Sequence, residues 1–122
     1  MGKIETKSLD KPDETRSFPN GGAEMVTVGS TMIGRTRMKP GWRWSNDLKP
    51  IAKTDLCMVL HKGYCLSGSL MVQAEDGTEL QIQPGDAYVI EPGHDGWVVG
   101  NEPVIAIDIS GMENYAKQKK AA

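Results

Sequence analysis

The chain has 122 residues, 16 acidic and 14 basic side chains and a net charge of −2, which suits one domain and leaves little room for a second. Lys and Arg are scattered except for Lys117, Lys119 and Lys120 near the end. The concentrated basic face of a nucleic-acid binder is therefore not expected, and the lysines read as a solvated tail. No apolar run approaches the ~20 residues of a membrane helix and no signal-peptide core follows Met1, so the expectation is a cytoplasmic protein with neither nucleic-acid nor membrane partners, and with Cys57 and Cys65 as free thiols.

Residues 1–22 are polar and broken by Pro12 and Pro19, and read as an extended arm that Phe18 anchors on the domain or on a neighbouring subunit. From Ala23 the pattern becomes strand, turn, strand. Met25, Val26 and Val28 form one run and Met32 to Met38 a second, which stops at Pro40-Gly41. A polar stretch follows, Trp42 to Asp55, longer than most loops and so a candidate functional element. Cys57 to Lys62 and Tyr64 to Ala74 are the next runs. Asp76-Gly77 supplies the positive-φ residues of a tight hairpin, and Leu80 and Ile82 alternate with Glu79, Gln81 and Gln83 on the returning strand. Pro84-Gly85-Asp86 turns the chain into Ala87 to Ile90, Pro92-Gly93 turns it into Trp97 to Val99, and Asn101 to Pro103 turns it into Val104 to Ile109. Short strands spaced this regularly define an all-β sandwich or barrel over 23–110, with a weakly helical pattern only at Met112 to Lys120 inside a tail of residues 111–122.

Gly85-Asp86, a hydrophobic strand and then Pro92-Gly93-His94 resemble the second conserved motif of the cupin superfamily. Upstream, His61 to Gly68 resembles the end of the first motif, which Pro40-Gly41 opens, and Ser69 to Gln83 has the length of the intermotif hairpin. The resemblance covers roughly residues 24 to 110 and implies an antiparallel β-barrel of the double-stranded β-helix, jelly-roll-like type. Metal-binding cupins bring two alternating histidines, a later glutamate and a third histidine. Here His61 stands at the glutamate's place, Asp55 and Cys57 are the nearest polar residues to the missing pair, and Gly96 takes the third histidine's place, just after His94 and Asp95. With two histidines in the chain, a three-histidine site within one subunit is impossible.

His61 is the candidate catalytic residue and, with His94, the candidate metal ligand. An imidazole at the barrel's mouth ligates Zn²⁺, Fe²⁺ or Ni²⁺ or acts as a base near neutral pH, with a satisfied core histidine as the plainer alternative. His94 and Asp95 are adjacent, so on an extended chain at most one of them enters the barrel, and an exposed turn histidine with a capping aspartate is the plainer alternative. Cys57 and His61 would stand roughly 13 Å apart on a straight strand, so they share one metal only if a bulge or loop intervenes near Val59. Cys65 reads as a small core residue and Trp97 as a core aromatic. Trp42, Arg43 and Trp44 offer stacking surface and a cation to a ligand, or a subunit contact.

The function expected is therefore the binding of a small molecule within the barrel by Trp42, Arg43, Trp44, Cys57 and Asp95. The alternative is a metal-dependent isomerase, dioxygenase or lyase in which His61 and His94 hold one divalent transition metal, joined by Asp95, Cys57 or water. Metal-free acid/base catalysis by His61 with Asp55 or Asp95 is a third reading. A homodimer is expected from the arm, the tryptophan loop and the habits of the superfamily.

Overall fold

Alternating inward and outward side chains organise nine antiparallel strands among residues 2–113, 115 and 116, which the computed structural model describes. The six-stranded sheet runs in the order β1 (Glu14–Phe18), β2 (Gly21–Val28), β3 (Thr31–Met38), β9 (Val104–Ser110), β4 (His61–Ser67), β7 (Ala87–Ile90). The three-stranded sheet runs β6 (Glu79–Ile82), β5 (Ser69–Ala74), β8 (His94–Val99). The last strand, β9, lies between β3 and β4, the interleaving of a jelly roll. No described helix is long and apolar enough to cross a membrane.

Inward positions on β3 (Thr36, Met38), β9 (Val104, Ala106, Asp108) and β4 (His61, Cys65) are buried, and Ile82 and Val98 close the core from the smaller sheet. The opposite face of β4, β7 and β9 carries exposed Tyr64, Leu66, Val89 and Ile109. Cys57 and Cys65 are free and buried.

Several expectations need correction. The stretch read as an arm contains β1, because Arg16 and Phe18 alternate inward; Phe18 packs edge-on against Tyr115 with ring centres 6.0 Å apart. The polar stretch after Trp42 folds into two single turns, α1 (Trp44–Asp47) and α2 (Lys49–Ala52), the second started by Pro50. Leu80 shares a face with Ile82 yet is exposed, since it opens on a wide cleft rather than on the core. Met112, Glu113, Tyr115 and Ala116 lie in turns, and the rest of the expected helix and its lysines lie outside the described residues.

The run read as one strand from Tyr64 to Ala74 breaks into β4 and β5 at Gly68, where φ is +76° and a Cβ would collide with the backbone of Pro103. This break carries the chain from one sheet to the other. Gly68→Ala is expected to cost about 1–3 kcal/mol of stability, read as a lower urea midpoint with the slope unchanged.

Candidate metal centre

The strand parity of β8 sorts its first residues. His94 and Gly96 face inward between the sheets, whereas Asp95 and Trp97 face outward. Asp95 is buried all the same, because the loop after Trp42 folds over it: its carboxylate accepts the Ser45 N–H at 3.1 Å and the Arg43 Nε at 3.4 Å, and the Arg43 guanidinium sits 4.3 Å from the Trp97 ring centre. Arg43 and Asp95, expected to bind ligand, therefore form an outer clasp and do not line the interior. Trp97, expected in the core, is half-buried under Arg43. Trp42 and Trp44 are buried and line the interior.

Cys57 ends the same loop and docks on β8 through backbone bonds. Its N–H donates to the His94 carbonyl at 2.7 Å, and its own carbonyl accepts the Gly93 N–H at 2.8 Å. Residues 58–60 then leave strand geometry before β4 begins at His61. That detour overturns the straight-strand separation, and Cys57 Sγ lies 3.7 Å from His61 Nε2. One donor atom each from Cys57, His61 and His94 all fall within 4.8 Å of one another, and the three residues are buried.

Both imidazoles are aimed by their far nitrogens. His94 Nδ1 donates to the Glu91 carbonyl at 2.7 Å, and His61 Nδ1 donates to Asp108 at 3.2 Å. The other Asp108 oxygen accepts the Tyr88 hydroxyl in a very short bond. Gly63, between them, has no side chain to obstruct this meeting; a Cβ there would strike Asp108, Tyr88 and the Ile107 carbonyl. Tyr115 closes the site with its ring centre 5.2 Å from that of His61. Burial alone pushes the Cys57 thiol up, but hydrogen bonds from His61 and His94 outweigh it and bring the thiol down to about 6. Burial alone would lower His61, yet its bonds to Asp108 and then Cys57 raise it to about 9. Burial, and for Tyr88 the neighbouring Asp108, raise the Tyr88 and Tyr115 phenols far above their ordinary range, so both stay neutral.

The donor set fits a metal ion. Tetrahedral bonds of ~2.3 Å to sulfur and ~2.0 Å to nitrogen place the two ligand atoms ~3.5 Å apart, against 3.7 Å between Cys57 Sγ and His61 Nε2. Imidazoles whose far nitrogens are held by a carboxylate and a backbone carbonyl are oriented as metal ligands are. Beside the donors lies a cavity of about 50 Å³, walled by Met38, Trp42, Leu70, Val72 and Ile90 among others. His94, Val72, Tyr88 and Ile90 also border an open cleft of about 710 Å³.

Asp55, considered as the partner of His61, is instead exposed and paired with Lys49; Asp108 takes that place. Asp108, Tyr88 and Tyr115 escaped the sequence reading. Asp108 had left one signal, a carboxylate at the inward position that follows Val104 and Ala106. Tyr88 and Tyr115 had left none.

No protein-family model and no curated relative matches the chain. Solved structures do. A cupin-superfamily sugar phosphate isomerase from Silicibacter pomeroyi matches at 16% identity and TM-score 0.57, over 84% of this chain and 73% of that one. A double-stranded β-helix protein from Klebsiella pneumoniae matches at 16% identity and TM-score 0.56, over 90% and 93%. Oxalate decarboxylase from Bacillus subtilis, a protein with Mn(II) centres, matches at 19% identity and TM-score 0.59, over 97% of this chain and 33% of that one. The chain has the cupin fold.

In metal-free protein the ultraviolet absorption of the Cys57 thiolate is expected to rise with a midpoint near pH 6. The thiolate–imidazolium pair stabilises the fold between the two shifted values: the Cys57 share is lost as pH falls through about 6, and the His61 share as pH rises through about 9. His61→Gln should move the thiolate midpoint up toward the ordinary thiol range. A midpoint unchanged in that variant would refute the pairing.

Proposed function

We propose that Cys57, His61 and His94 bind one divalent transition metal ion, and that a small molecule meets that ion in the cavity between the sheets. The observation that carries this reading is the convergence of one thiolate sulfur and two imidazole nitrogens within 4.8 Å. One sulfur and two nitrogens suit Zn²⁺, Fe²⁺, Co²⁺ or Ni²⁺ rather than Mg²⁺ or Ca²⁺. The ion supplies Lewis-acid chemistry when bound. The chain's own residues do the rest. Asp108 and the Glu91 carbonyl hold the two rings in place, Tyr88 holds Asp108, and the apolar wall keeps bulk water from the donors.

A metal-dependent enzyme of isomerase, dioxygenase or lyase type is the second reading. Three protein donors leave a coordination position to a ligand, as catalytic rather than structural zinc sites do. The homodimer, too, remains a proposal, with the exposed apolar face of β4, β7 and β9 as its contact; a monomer mass in light scattering at tens of micromolar would refute it.

Elemental analysis and Co²⁺ titration of untagged protein are expected to give about one metal per chain, with a thiolate-to-cobalt absorption band that Cys57→Ser removes. Asp108→Asn should weaken metal affinity by about 10–100-fold without abolishing the site. At pH 7 Cys57 is already a thiolate and His61 still carries its extra proton, so binding should release about one proton and tighten as pH rises from 6 toward 9. Less than about a tenth of an equivalent bound by wild-type protein would dismiss the reading.

A further inference from the structure

One wall of the metal centre is a turn that lies outside both sheets. The β9 ladder ends at Ser110, opposite Lys62, and Gly111 carries the chain away at φ +93°. Met112, Glu113, Tyr115 and Ala116 then lie in turns, yet Met112 and Tyr115 are buried. Tyr115 lines the cavity with Cys57, His61 and His94. It sets its ring 5.2 Å from that of His61 and stands close enough to Cys57 to feel its charge. A Cβ on Gly111 would strike the Leu60 carbonyl and the Val59 side chain, so the turn also packs on the detour that brings Cys57 inward.

What fastens this turn comes from the other end of the chain. Arg16 Nη1, on β1, donates to the Met112 carbonyl and to the Tyr115 carbonyl, at 2.5 Å each. Arg16 is itself buried, with its Nε held by Glu14 at 2.6 Å. Phe18, two residues on and facing the same way, meets the Tyr115 ring edge-on. Ala116 sits at φ +57°, a conformation that a residue with a side chain keeps only where its surroundings enforce it.

The strand that carries the fastening is the edge of the larger sheet, and β1 pairs with β2 alone. A few side-chain contacts between an edge strand and a turn can open locally while the rest stays folded. Of the three donors only His94 borders the wide cleft; Cys57 and His61 do not, and both adjoin Tyr115. We infer that the turn after Gly111 and Arg16 form a latch over the metal centre, and that metal enters and leaves when Arg16 releases the turn. The part that concerns metal rests on the reading of Cys57, His61 and His94 as a metal site; the closure over Cys57 does not. A latch differs from a brace in its kinetics. Opening speeds passage in both directions and leaves affinity alone, whereas losing a brace that shapes the donors speeds loss and lowers affinity together.

The test uses the full chain and Co²⁺, at a temperature where circular dichroism shows each variant folded. Uptake by metal-free protein and loss to excess EDTA are timed by the thiolate-to-cobalt band. Arg16→Met keeps the bulk of the stem and removes both bonds to the turn. It should speed uptake and loss alike by about tenfold or more, with Kd changed by less than about twofold. Phe18→Leu, which loosens only the ring contact, should shift both rates the same way by about two- to fivefold, and it decides the matter if Arg16→Met does not fold. In metal-free protein on a Cys65→Ser background, labelling of Cys57 by dithiodipyridine should quicken by similar factors. Uptake, loss and labelling unchanged in these variants would overturn the latch and assign exchange to the cleft that His94 borders. Faster loss with unchanged uptake would overturn it as well, leaving Arg16 a brace. Wild-type protein that binds no Co²⁺ would remove the metal reading, while the labelling rates would still decide the closure.

Discussion

The carboxylate of Asp108, 4% exposed on the inner face of β9, joins three strands that are distant in sequence. It accepts from His61 on β4 and from Tyr88 on β7, so each oxygen has a partner and the burial of a charge is offset. The same bonds fix which His61 nitrogen faces the interior. Removing the carboxylate would leave an imidazole free to turn and a phenol without an acceptor. The geometry of the site thus depends on one buried group.

Cys57 reaches the centre by another route. Its sulfur bonds with His61 and His94, and its backbone is pinned to β8 beside His94, through both its N–H and its carbonyl. The loop before it is held from outside by Asp95, which grips Ser45 and Arg43. Inner and outer faces of β8 therefore share the work. His94 supplies a donor atom, and its neighbour anchors the loop that brings the sulfur. A thiolate and a carboxylate flank His61, which accounts for its raised proton affinity.

The polar groups around the cavity fall into two kinds. Those of Asp108, Tyr88, His61 and His94 are matched within the protein, and this matching makes their geometry rigid. Those of Thr36 and Trp42 are unmatched.

Local chemistry was readable from the amino-acid order. Asp76-Gly77, Pro84-Gly85 and Pro92-Gly93 mark turns because glycine tolerates positive φ, here +91°, +94° and +95°, and they bracket the strands between them. Alternation separated His94 from Asp95 before their faces were known, since a pleated strand admits no other arrangement. The break at Gly68, the strand at Glu14–Phe18 and the meeting of Cys57 with His61 were decided by the tertiary structure. The last of these depends on a detour in the chain whose cause is a backbone bridge to β8. Asp108 lies 47 residues beyond His61 and becomes its partner only because β9 inserts between β3 and β4. Turns and parity follow from neighbours along the chain, whereas a site assembled across strands follows from their order in the sheet, which no short stretch of residues encodes.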